Sequence, residues 1–112
     1  MVRGRPPFPA GQPPRFRSTV HGTVFGGRDR YLEAMHAGDS LRLVPDPPVR
    51  EGGSVWVHLL SGEPIGHLPP EISCWLLPWI RGGGVAEARA LSVRGRETPS
   101  WRRVVLEVEC RL

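Results

Sequence analysis

Two stretches of this chain combine flat rings with guanidinium or imidazole groups, the combination that a single nucleic-acid strand requires. Bases need π faces and phosphates need cations. The first stretch runs from a long polar loop at 45–53 through 54–59 to His67, and contributes Arg50, Glu51, Trp56, His58 and His67. The second is Arg94-Gly95-Arg96 with Trp101-Arg102-Arg103, where Arg94, Arg96, Trp101, Arg102 and Arg103 crowd around one turn. Each group also has an ordinary structural reading. Trp56 would equally cover the second side of a twisted sheet, His67 would equally be a hydrogen-bonded structural histidine, and a charged turn is commonly just solvated. Trp75 and Trp79 are read as core anchors, because their spacing is helical.

The elements that must position these groups are legible from periodicity. Val55, Val57 and Leu59 alternate with Ser54, Trp56 and His58, which predicts a half-buried strand with an indole and an imidazole on its outer side. Ser61-Gly62-Glu63-Pro64 has turn chemistry, so a strand at 65–68 is expected to fold back on the first. Pro69-Pro70 then ends the strand and opens a helix, whose apolar Ile72, Trp75, Leu76, Trp79 and Ile80 predict one buried face. Before this core, strands are expected at 18–25 and 41–44 with a short helix at 28–36 between them. Gly22 marks a bulge or a close backbone approach. After it, three glycines at 82–84 force a turn, and strands at 85–93 and 101–112 pair with each other. The order βαβββαββ, with short Gly-rich strands, points to a mainly β, α+β fold: a small, partly open barrel of about six strands with two short helices.

Composition narrows the reading. In 112 residues, 14 are Gly and 13 are Pro, which suits one small domain with an irregular part. Residues 1–17 hold four Arg, no acid and five Pro, and are expected to form a disordered or partly polyproline II tail ahead of a domain at 18–112. All of the formal net charge of +4 comes from that tail, because the remaining 11 Arg face 11 acids. Any contact with nucleic acid by the body must therefore use a local patch. Cys74 and Cys110 fit no metal or redox spacing and are expected to be small apolar residues. No apolar run approaches the roughly 20 residues of a membrane span, and no secretory leader is read, so a cytoplasmic location without membrane contact is expected. The four histidines lack metal-ligand spacing, no nucleophile has an acid or base partner, and no phosphate-cradling loop occurs; neither enzyme chemistry nor a metal or other cofactor is expected.

GTVFGGRDR, a short helix, GDSLRLVPDP, the VWV strand, SGEPIGHLPPEI and a helix ending in Gly occur in that order. Together they resemble a HIRAN domain over about residues 18–110. The resemblance implies a modified OB-like β-barrel with two helices. HIRAN domains serve as accessory modules of helicase-like transcription factors, where they recognise the 3′ end of single-stranded DNA, and they also occur as stand-alone bacterial proteins. His67 stands in the family's Ile-Gly-Tyr/His-Leu motif. The family's Asn-Pro-Tyr-Asp loop is replaced here by Pro48-Val49-Arg50-Glu51, one residue shorter, with Arg50 near the Tyr and Glu51 near the Asp, and Pro70 replaces a commonly basic position. A carboxylate still accepts a hydrogen bond from a ribose hydroxyl and a guanidinium still stacks on a base. The expectation is a non-enzymatic module for single-stranded DNA or a 3′ DNA end, in DNA repair or processing. The alternative is a protein-interaction module that has kept the barrel and lost the pocket.

Overall fold

The computed structural model describes residues 7–46 and 53–112. Among these residues, six antiparallel strands form one curled sheet: β1 (Arg15–Thr19), β2 (Ser40–Pro45), β3 (Val55–Leu59), β4 (Pro64–His67), β5 (Val85–Val93) and β6 (Val104–Arg111). Their order across the sheet is β1-β6-β5-β2-β3-β4. Two helices, α1 (Asp29–Leu32) and α2 (Pro70–Arg81), complete a small OB-like α+β half-barrel in the expected element order. Register shifts at Val57/His58 and Ala90/Ser92 add local twist, which helps the sheet to curl.

Alternation decides the core. Val55 and Val57 are buried while Trp56 and His58 lie on the other face, and in β6 Val104, Leu106, Val108 and Cys110 all point inward. Ala88 and Ala90 of β5 are buried beside them, as are Leu32 and Met35 from the α1 region. The buried stripe of α2 is Ser73, Leu76, Leu77 and Trp79, so the helix is rotated from the expected face and Ile72, Trp75 and Ile80 are only half-buried. Ser73 explains the rotation. Its hydroxyl donates to the Leu68 carbonyl at 3.3 Å and accepts the Val55 amide at 3.2 Å, fastening the helix to β3.

The sheet's two edges meet across one residue pair. Beyond β1, the His21 amide donates to the His67 carbonyl at 2.8 Å and the His67 amide donates back at 3.0 Å. Gly66 makes this approach feasible, because a Cβ there would lie 2.3 Å from the His21 carbonyl oxygen and 2.6 Å from a Val20 methyl.

Three expectations are corrected. The first strand begins at Arg15 instead of residue 18, paired with β6 from Arg15 opposite Glu109 to Thr19 opposite Val105. Residues 7–17 are not an unstructured tail: Phe8 sits edge-on to Trp75 and Trp79, and Phe16 to Trp75. The last strand begins at Val104, leaving Trp101 in a 3₁₀ turn, Ser100–Arg102. Of the cysteines, Cys110 is buried, and burial pushes its thiol up to about 11; Cys74 is exposed and donates to the Glu71 carbonyl. Among the described residues no helix is long and apolar enough to cross a membrane.

If closure rests on the Gly66 approach, Gly66→Ala destabilises the fold by about 3 kcal/mol through overpacking. A urea midpoint unchanged from wild type would contradict this.

Candidate nucleic-acid interface

The outer face of β3 and β4 carries Trp56, His58 and His67 of the first group, beside β2. Register places Val44 opposite Trp56, Arg42 opposite His58 and Trp56 opposite His67. Trp56 and His67 meet edge to face, with ring centroids 5.5 Å apart. The Arg28 guanidinium lies 4.8 Å from the Trp56 ring centre and donates to the Gly22 carbonyl at 2.9 Å. Gly22 is bounded by both neighbours: a Cβ there would lie 3.2 Å from His67 Nε2 and 3.3 Å from Arg28 Nη1, and its φ is +75°. The close backbone approach expected at Gly22 is thus part of the site. His67 Nδ1 is 3.2 Å from the Leu68 carbonyl, which requires a proton on Nδ1 and leaves Nε2 facing Gly22 as an acceptor when the ring is neutral.

A cleft of about 300 Å³ opens beside this cluster. Val44, Pro45, Trp56 and Pro64 form its apolar lining, and Arg28, Asp46 and His58 its polar one. Asp46 organises the wall. Its carboxylate accepts the Ser54 amide at 2.8 Å and the Trp56 indole N–H, while its own amide donates to the Ser54 carbonyl at 3.0 Å. Arg81 of α2 donates to the Asp46 carbonyl at 2.7 Å. These bonds clamp the neck of the 45–53 loop against Trp56. Arg50 and Glu51 lie outside the described residues.

The second group surrounds the β5–β6 turn. Arg103 holds the turn together, donating from Nε to the Thr98 carbonyl at 2.9 Å and from Nη2 to the Arg96 carbonyl at 3.2 Å. Arg96 pairs with Glu33 at 3.5 Å and Asp29 at 3.8 Å, so acids in and just after α1 neutralise part of the patch. Arg94 is exposed. Arg102 lies 4.8 Å from the ring centre of Trp101, and that indole is 50% exposed.

The turn from Gly22 to Arg28 connects the two groups, a link the sequence did not reveal. At one end Arg28 covers Trp56. At the other the Thr23 hydroxyl donates to the Ser100 carbonyl at 3.1 Å, next to Trp101. Phe25 between them is 67% exposed. Arg28, Phe25, Arg42 and Asp46 were missed as site residues. Alternation in Leu41-Arg42-Leu43 was signal enough for Arg42, whereas the roles of Arg28, Phe25 and Asp46 depend on contacts distant in sequence.

Comparison with known proteins returns no match: no family model, curated protein or solved structure matches this chain.

Two outcomes test the geometry. Asp46→Ala leaves the Trp56 and Ser54 donors unpaired and lowers stability by about 2 kcal/mol, while Asp46→Asn, with one carbonyl oxygen, loses about half as much by chemical denaturation. His58 is held below its ordinary value of 6.5 by burial. The unfolded chain therefore binds this proton before the folded one does. The His58 contribution to stability is full above about pH 6.5 and declines as pH falls toward the folded value. By NMR, His58 should titrate below 6.5, and His58→Gln should flatten stability across that window; a His58 midpoint at or above 6.5 would contradict the burial argument.

Proposed function

We propose that this chain is a HIRAN-type, non-enzymatic module that binds single-stranded DNA, or a DNA 3′ end, during DNA repair or processing. The observation that carries the reading is the Gly22–Arg28 turn, which joins the two candidate groups through Arg28 on Trp56 and Thr23 on Ser100. Exposed Phe25 and Trp101 supply faces for bases, and Arg28, Arg42 and Arg102 supply cations for phosphates. The motif resemblance adds Arg50 and Glu51, which follow Asp46 in the sequence.

One observation favours a protein-interaction module instead. Arg28 already covers a face of Trp56 and Asp46 already holds its N–H, so this indole is not a free platform for a base.

Fluorescence anisotropy with labelled single strands separates the readings. Under the DNA reading, Trp101→Ala and Phe25→Ala each weaken binding roughly tenfold, since stacking is worth about 1–3 kcal/mol per base. Affinity falls with salt, and a 3′ phosphate binds more weakly than a free 3′ hydroxyl if the end pocket operates. Binding that ignores both aromatic substitutions and the end chemistry would leave only Arg-rich electrostatics and would favour the protein-interaction reading.

A further inference from the structure

The segment before β1 is seated on α2 by means unlike those that hold the rest of the fold. Residues 7–14 read Pro-Phe-Pro-Ala-Gly-Gln-Pro-Pro, and prolines remove four of their amide donors. Among the described residues, their backbone bonds are a weak internal turn, with the Gln12 amide 3.4 Å from the Pro9 carbonyl, and one bond from the Cys110 amide to the Pro14 carbonyl. Residues 7–13 therefore make no backbone bond to the body among the described residues. Their anchor is the Phe8 ring, edge-on to Trp75 at 5.8 Å and to Trp79 at 5.3 Å. Phe16 of β1 completes the socket, 5.5 Å from Trp75.

A second observation concerns the socket itself. Trp79 is 5% exposed, and its indole N–H is buried with no acceptor. Gly84 packs so closely on this ring that a Cβ there would lie 2.3 Å from it, which holds the indole in place. An unmet buried donor costs free energy, and Pro-rich segments, whose carbonyls make no internal hydrogen bonds, dock in aromatic-lined grooves. The strap supplies an aromatic ring but no acceptor.

We propose that the Trp75–Trp79–Phe16 socket is a docking groove for a proline-rich segment of another protein that carries a Phe followed by Pro, and that the chain's own Phe8-Pro9 occupies it in cis. Phe8-Pro9 defines the chemistry that fits. The unmet Trp79 N–H distinguishes the strap from a better occupant, whose carbonyl would accept it. Residues 7–13 can leave without breaking any backbone bond to the body among the described residues, while β1 stays paired with β6. This groove uses none of the residues proposed for nucleic acid, so the two surfaces stand or fall separately.

The test uses the full chain and a synthetic peptide spanning residues 6–14 as the probe. Phe8→Ala empties the socket and should bind the peptide about tenfold or more tighter than wild type, since in wild type the tethered strap competes at an effective concentration in the millimolar range. A peptide with Ala in place of its Phe should not bind. If Phe8→Ala folds poorly in a thermal melt, wild type with excess peptide provides the second readout: the Trp79 indole N–H resonance should shift with the Phe peptide and stay fixed with the Ala peptide. Equal binding of the two peptides, or no shift of that resonance, would overturn the proposal. So would concentration-dependent dimerisation of wild type that Phe8→Ala abolishes, because the occupant would then be a second copy.

Discussion

The two hydrogen bonds between His21 and His67 hold the two ends of the sheet together, and they depend on the absence of one side chain at Gly66. An open antiparallel sheet leaves backbone donors and acceptors unpaired at both edges. Here one edge bends back onto the other at a single residue pair, giving a closure that is local and partial. The consequence extends beyond stability. By drawing residue 21 onto residue 67, the bridge also places Gly22 beside the His67 ring and lets Arg28 reach Trp56. The surface proposed for nucleic acid is assembled by the same contact that closes the barrel.

Aromatic residues divide between two tasks according to their secondary structure. Trp75 and Trp79 lie on a helix and are covered by Phe8 and Phe16, whereas Phe25 and Trp101 lie in 3₁₀ turns that expose them. Arginines divide similarly. Arg103 and Arg96 are engaged by turn carbonyls and by acids in and just after α1, so their charge serves the hairpin, while Arg42 and Arg102 remain at the surface. A near-neutral body with a few displayed cations suits local recognition better than long-range attraction.

Much of the fold was legible because alternation and helical spacing report burial directly. Val55/Val57 against Trp56/His58, and Val104 to Cys110 in β6, left little freedom in which side faced inward. The errors have specific causes. Ser73 carries no hydrophobic signal, yet its two hydrogen bonds rotate α2 and bring Leu77 into the core in place of Ile72. A segment rich in Pro and Arg looked unable to pack, but packing needed only Phe8 and Phe16, since the rest of their socket comes from α2. Cys74 lies on the solvent side of α2 on either the expected or the observed buried face, so helical spacing accounts for its exposure without the rotation.

The sequence by itself determined the element order, the mainly β class, the inner and outer faces of the long strands, and the presence of Trp, His and Arg in two short stretches. Those properties come from neighbours along the chain, where a period of two or of 3.6 residues fixes which side chains share a face. Tertiary structure alone decided that the two stretches meet through the Gly22–Arg28 turn, that Asp46 clamps the loop neck to Trp56, and that Phe8 reaches across to Trp79. Each of these contacts joins residues that no local periodicity relates. They form only when a curled sheet brings its edges together and a helix offers an aromatic face for the chain's beginning to cover.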